Sequence, residues 1–185
     1  MPRVDGERLT EGELLMFLMT LLVAGNETTR NLISGGARVL AENPEQRAWV
    51  AADPTRIPNA VEEMLRWVSP VRSFIRSAVR DTTVEDVAIK EGDYVVIFYG
   101  SGNRDEDMFG PTADRFDPAR TEAHRHIAFG FGEHLCLGAH LARLEARVVF
   151  EELFHRWPAW ALAGAATPAP SCLMNGLRHL PVRLG

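Results

Sequence analysis

The chain has 185 residues, 46% of them apolar and 24% charged, with 15 glycines and 11 prolines. These proportions exclude a disordered polymer, a collagen-like repeat and a disulfide-stapled miniprotein, and they allow one globular domain with a sizeable core. A net charge of −5 leaves no general basic field to attract nucleic acid. The two cysteines, Cys136 and Cys172, are too few and too far apart for an oxidised framework, so a reduced, cytoplasmic setting is expected.

The first long element is predicted from about Thr10 to Leu40. Thr10-Glu11-Gly12-Glu13 has the pattern of a capping box, in which hydroxyl and carboxylate satisfy each other's backbone N–H groups. The most apolar run, Leu14 to Gly25, falls short of the roughly 20 residues a bilayer span needs, and it is expected to be a helix surrounded by protein. Asn43-Pro44 opens a short helix through about Ala52, and a third helix follows Pro58 to about Val68, ending before Ser69-Pro70.

From Phe74 to Phe98 the pattern turns β-like, with Val84, Val87 and Ile89, a Glu91-Gly92-Asp93 turn, and then Tyr94 to Phe98. Residues 99–128 read as irregular coil with one short helix. A further helix is expected from Gly138 to about Trp157, carried by Leu141, Leu144, Val148 and Phe150. The Ala/Pro stretch 158–170 reads as a surface connection and Leu177–Leu184 as a closing strand. The fold class is mainly α with a small β component.

The most informative segment is Phe129-Gly130-Phe131-Gly132-Glu133-His134-Leu135-Cys136-Leu137-Gly138. A cysteine follows a glycine-rich loop at a helix start, where partial positive charge and free N–H groups stabilise a thiolate. Glycines four residues before it and two after it let backbone approach a large flat ligand. Such a thiolate suits an axial bond to haem iron. The plainer reading is a buried structural thiol beside a turn. Zinc fits poorly, because there is no C-x-x-C pair, and Leu135 occupies the last glycine position of a dinucleotide loop.

At these residues the sequence resembles the cytochrome P450 family. Phe129, Gly132, Cys136 and Gly138 match every fixed position of that family's haem signature, F-x-x-G-x-x-x-C-x-G, and Ala139 to Arg143 look like its following helix. The resemblance implies the C-terminal portion of the cytochrome P450 fold, spanning residues 1–185 of a single domain. The helices before the oxygen-binding helix and the substrate lid lie outside it, and without them the Leu14–Leu22 helix would expose its apolar surface.

The same resemblance implies haem b (iron protoporphyrin IX), with Cys136 as the iron ligand and Phe129, Gly132 and Gly138 shaping the loop around it. Arg76 and His134 match the family's propionate contacts; His126 has the weaker claim and reads as loop packing. His134 at its position is similar to the soluble bacterial branch. Glu27 and Thr28, within Ala24-Gly25-Asn26-Glu27-Thr28-Thr29, match the acid–alcohol pair that delivers protons during oxygen activation; taken alone, that stretch is where a helix face reaches solvent and is loosened by Gly and Thr. Glu63 and Arg66, an E-x-x-R pair, are implied to join Arg115 in a buried network, although such a pair by itself is usually a surface ion pair. Ala24, Gly25, Val71–Phe74 and Met174-Asn175 are implied to face a hydrophobic substrate.

The implied activity is monooxygenation with O2, using electrons from a ferredoxin-type or other electron-transfer partner. Arg143 and Arg147 are candidate docking charges or simply solvated helix residues. The alternative is a truncated haem-binding remnant, acting as carrier, sensor or weak peroxidase. A missing N-terminal half or an oligomeric partner would complete either form.

Overall fold

Residues 3–4 and 7–185 are described by a computed structural model. Strands β1 (Arg3–Val4) and β2 (Glu7–Arg8) pair antiparallel and lead into α1 (Glu11–Glu42). The capping box forms as the sequence predicts: the Glu13 N–H donates to Thr10 Oγ1 at 3.3 Å, and the Thr10 N–H donates to Glu13 Oε2 at 2.8 Å. Pro44 sits in the first turn of α2 (Pro44–Ala51), where its missing N–H costs nothing. Helix α3 (Ile57–Val68) buries Ile57, Ala60, Val61, Met64, Leu65 and Val68, the three-and-four spacing of one face. It stops at Ser69, whose φ of 43° turns the chain before Pro70.

Strands β3 (Ser73–Ser77), β4 (Thr82–Val84), β5 (Val87–Ile89) and β6 (Tyr94–Phe98) form two antiparallel pairs, β3 with β6 and β4 with β5. Two one-turn helices follow, α4 (Tyr99–Gly102) and α5 (Glu106–Phe109), with a 3-10 turn at Ala123–Arg125, so the predicted coil holds more helix than expected. Helix α6 (Ala139–Arg156) is next, and then β7 (Ala161–Leu162), β8 (Thr167–Pro168), β9 (Leu177–His179) and β10 (Val182–Arg183). The predicted closing strand is in fact two pieces: β9 pairs with β8, and β10 with β7.

The core lies where the second half of α1 meets α3 and α6. Leu32, Leu40, Met64, Leu65 and Phe150 are buried there. Gly36 permits the approach, since a Cβ at that position would stand 2.6 Å from Met64 Sδ and 2.9 Å from Phe150 Cζ. Trp160, inside the stretch expected to be a surface connection, belongs to this core. Its indole N–H donates to Ala37 O at 2.9 Å, and Arg47 donates to its carbonyl. Near its start α1 departs from the expected burial: Leu22 and Val23 are 66% and 69% exposed, and Leu15, Met16 and Leu18 are also exposed. A helix needs partners on every side to be buried all round, and in this chain the first half of α1 has few.

Glu63 and Arg66 form a fully buried pair. Arg66 Nε and Nη2 donate to Glu63 Oε2 and Oε1, each at 2.7 Å. The remaining donors go to the carbonyls of Asn103 (2.6 Å), Ala113 (2.8 Å) and Arg115 (2.8 Å). The expected third member, Arg115, enters only through that carbonyl; its side chain is exposed. Arg120 takes the place instead, with Nε 3.5 Å from Glu63 Oε2 and its other nitrogens donating to the carbonyls of Phe109 and Thr112, both at 2.7 Å. Replacing Arg66 by Met strands the Glu63 carboxylate in the core. Arg66→Met is expected to cost about 3–5 kcal/mol, read from the urea unfolding midpoint of the full chain.

Candidate functional site

The segment Phe129–Gly138 crosses from the core to the surface and returns as the start of α6. Phe129 packs on the core, whereas residues 131–137 are exposed, including the Cys136 thiol. Main-chain bonds shape the loop: the Cys136 N–H donates to Phe129 O at 2.9 Å, and the Ala139 N–H donates to Cys136 O at 3.2 Å. Gly132 adopts φ of +70°, a conformation that L side chains rarely enter, and a Cβ there would meet nothing within 4 Å. Gly138 is the N-cap residue of α6 and would carry a Cβ 4.0 Å from Cys136 Sγ. The thiol therefore stands just ahead of a helix N-terminus, as the sequence predicts, and is exposed among the described residues.

Behind the loop lies a cluster that sequence reasoning missed. The Glu62 carboxylate accepts from Arg143 Nε at 2.7 Å and Nη2 at 3.0 Å, and it meets His126 Nε2 at 3.1 Å. His126 Nδ1 accepts the Ala128 N–H at 3.1 Å, so the proton of the ring sits on Nε2 and is donated to Glu62. Both ring nitrogens are engaged and the ring is buried, which fits loop packing. Arg143 is likewise committed, with its guanidinium carbon 4.6 Å from the Phe129 ring centre; Arg147 pairs with Glu151 at 3.1 Å on the solvent face. The signal available in the sequence was the Glu62-Glu63 dipeptide, since two neighbouring acids on a short, mostly buried helix must both find donors.

Thr28 and Glu27 lie on α1, which runs through this stretch without a break. Thr28 Oγ1 donates to Ala24 O at 2.6 Å, and the half-exposed Glu27 pairs with Arg30 at 3.2 Å. Arg76 lies on β3, with Nη1 donating to Ile75 O at 3.1 Å. His134 sits on the exposed cysteine loop. No hydrogen bond or ion pair among the described residues joins Glu27, Thr28, Arg76 or His134 to Cys136. Two of the implied substrate segments meet: Val71 bridges Met174, and Arg72 Nε donates to Met174 O at 3.1 Å, while Asn175 donates to Val68 O; among the described residues no hydrogen bond joins Ala24 or Gly25 to either.

The family model for cytochrome P450 matches residues 56–167, from α3 through the cysteine loop to β8. The chain belongs to the cytochrome P450 family. Among its curated relatives, Cytochrome P450-terp from a Pseudomonas species is 38% identical over 181 residues, 98% of this chain and 42% of the relative. Cytochrome P450 107B1 from Saccharopolyspora erythraea is 44% identical over 185 residues, 98% of this chain and 45% of that one. Among solved structures, P450BioI in complex with an acyl carrier protein ligated to hexadec-9Z-enoic acid superposes with a TM-score of 0.93 at 38% identity, covering 98% of this chain and 47% of that one. CYP109E1 from Bacillus megaterium in complex with testosterone gives 0.94 at 36% identity, covering 99% and 51%. The chain thus spans about half the length of the P450s it matches. Membership implies a haem cofactor, and the mainly α architecture with small sheets matches the P450 fold over this chain. No helix among the described residues is long and apolar enough to cross a membrane.

Burial works against ionisation of Glu62, but the hydrogen bonds from His126 and Arg143, with the Arg143 charge, outweigh it and bring its carboxyl from the ordinary 4.5 down to about 2. The folded state then binds fewer protons than the unfolded one across this interval. The stability this confers is fully present above about pH 4.5 and is lost as pH falls toward about 2. Between those limits the urea midpoint of the wild-type chain is expected to fall more steeply than that of Glu62→Gln, and equal slopes would contradict the assignment.

Proposed function

We propose that the chain is the C-terminal, haem-binding portion of a single cytochrome P450 domain, residues 1–185, and that the whole protein is a haem-thiolate monooxygenase. The carrying observation is a thiol just ahead of a helix N-terminus, on a loop in which Gly132 takes a positive φ and whose four fixed positions match the family signature. The residues present fit haem b. Phe131, Leu135 and Leu137, on the same loop as Cys136, expose apolar surface suited to a macrocycle, and Arg76 and His134 are the donors for its propionates.

Bound haem would supply an iron able to activate O2, and Cys136 is the residue that would hold that iron. Cys136 presents its sulfur just ahead of the N-terminus of α6. Phe129, Gly132 and Gly138 shape the loop that carries Cys136: Phe129 O accepts the Cys136 N–H, Gly132 takes a positive φ, and Gly138 caps α6. Thr28 spends its own hydroxyl proton on Ala24 O, which leaves the Oγ1 lone pairs to accept from a donor on the oxygen side. Glu27, next to it in sequence, half exposed and paired with Arg30, is the acid of the pair that hands protons toward Thr28. In the overall reaction one atom of O2 enters a substrate C–H bond and the other leaves as water, consuming two electrons and two protons.

The electrons come from a ferredoxin-type or other electron-transfer partner. The substrate is a hydrophobic small molecule, in keeping with the fatty-acyl chain and the steroid held by the two structural relatives. The uncovered first half of α1 is completed by an N-terminal half or an oligomeric partner, and the protein acts in the cytoplasm without nucleic acid. A second reading is a haem-binding remnant serving as carrier, sensor or weak peroxidase.

The two readings part on spectra and coupling. Haem-loaded chain, reduced and exposed to carbon monoxide, is expected to give a strongly red-shifted Soret band that Cys136→Ser abolishes; survival of the band in that variant rejects Cys136 as ligand. With reductant and substrate supplied, Thr28→Ala is expected to keep haem but divert several-fold more of the reducing equivalents to hydrogen peroxide. Unchanged coupling rejects the role given to Thr28.

A further inference from the structure

The cysteine loop is held by something other than its own turns. Phe129 grips Cys136 through the main chain, its carbonyl accepting the Cys136 N–H at 2.9 Å. Phe129 is in turn gripped through its ring, 5.6 Å from the His126 ring centre and 4.6 Å from the Arg143 guanidinium carbon. Both of these side chains end on the single carboxylate of Glu62, which belongs to neither the loop nor α6 but to α3. His126 adds a second hold, because its Nδ1 accepts the N–H of Ala128, the residue preceding Phe129.

This arrangement differs from an incidental surface ion pair. The Arg143 contact is two-pronged, and its partner Glu62 is 16% exposed, so solvent and salt weaken it less than they weaken an open pair. The His126 ring is 1% exposed and has both nitrogens assigned. Removing Glu62 leaves a buried ring N–H and a stacked guanidinium without their acceptor, and each must move to find another. Any such movement passes through Phe129 to the Cys136 peptide.

We propose that Glu62, acting through His126 and Arg143, is the positioning residue that sets how Cys136 presents its sulfur to the haem iron. This rests on the haem-thiolate reading above. The thiolate and thiol forms of an axial cysteine give different carbon monoxide spectra, so the ratio of the red-shifted Soret band to the shorter-wavelength band reports positioning separately from haem content.

The test compares wild type, Glu62→Ala, Arg143→Lys and Glu42→Ala in the haem-loaded, reduced, carbon monoxide-bound full chain. Glu42 forms an exposed ion pair with Arg38 elsewhere on α1 and serves as control. The expected result is a roughly tenfold shift of the band ratio toward the shorter wavelength in Glu62→Ala, the scale of losing a charge-assisted hydrogen bond. Arg143→Lys, which keeps the charge but loses the two-pronged contact, is expected to shift the ratio part-way, and Glu42→Ala to leave it alone. Should Glu62→Ala fail to fold, Arg143→Lys carries the comparison. A wild-type ratio in the variants, even with less haem bound, overturns the proposal as a stability effect. Absence of the red-shifted band in wild type instead overturns the haem-thiolate reading on which it stands.

Discussion

The buried Glu63–Arg66 pair is the constraint on which the rest of this structure depends. A guanidinium has five N–H donors and no acceptor, and in a core each must be met. Arg66 meets them with two carboxylate oxygens and three carbonyls drawn from residues 103–115. That segment has few internal ladder bonds to satisfy its own carbonyls, and Arg66 and Arg120 supply the missing donors from outside. Irregular backbone is thus ordered by two cations instead of by regular secondary structure. The arrangement also explains why breaking the pair is costly even though forming it gains little over an apolar core: the loss falls on the coil as well as on the partner charge.

The same anchor reaches the candidate site. Asn103, whose carbonyl accepts from Arg66, donates its amide to Ser69 Oγ and accepts the Ile127 N–H on its side-chain oxygen, each at 2.8 Å. Ile127 lies two residues before Phe129, the start of the cysteine loop. Helix α3 therefore holds that loop at two places from adjacent residues, Glu63 through Arg66 and Asn103, and Glu62 through His126 and Arg143. One carboxylate faces the core, and its neighbour, a turn's fraction away, faces the loop. The geometry of the thiol is set by a helix that makes no hydrogen bond to Cys136 among the described residues.

Much of this was legible in the sequence, and the limits have physical causes. Local signals were reliable wherever the chain satisfies itself locally: the Thr10–Glu13 cap, Pro44 at a helix start, the spacing of α3 and the Glu91-Gly92-Asp93 turn. The cysteine loop was legible for the same reason, because its glycines answer to its own backbone. What was not legible depended on distant partners. Arg115 and Arg120 are both basic residues in the same coil, and only the folded path decides which side chain turns inward. Trp160 sits in an Ala/Pro stretch with no periodicity, yet it is captured by Ala37 and Arg47, more than a hundred residues earlier. Arg143 read as a solvated or docking charge because nothing in α6 reveals that Glu62 comes to it from α3.

Helix α1 carries the remaining argument in its two halves. From Thr29 to Leu40 its inner face is buried against α3 and α6, with Gly36 allowing near contact; from Leu15 to Val23 its side chains are mostly exposed. Glu27 and Thr28 stand at the boundary. Their position along the helix is fixed from the buried side, since Thr29, next in sequence, is already buried. The character of their surroundings, however, is set by whatever covers the apolar side. A hydroxyl whose proton is held by Ala24 O offers only lone pairs, and such an acceptor is selective for a donor only where bulk water is excluded. In this chain the anchored half of α1 fixes the place of Glu27 and Thr28, and in the proposed reading the exposed half is the surface whose cover lets that pair favour one proton path over water.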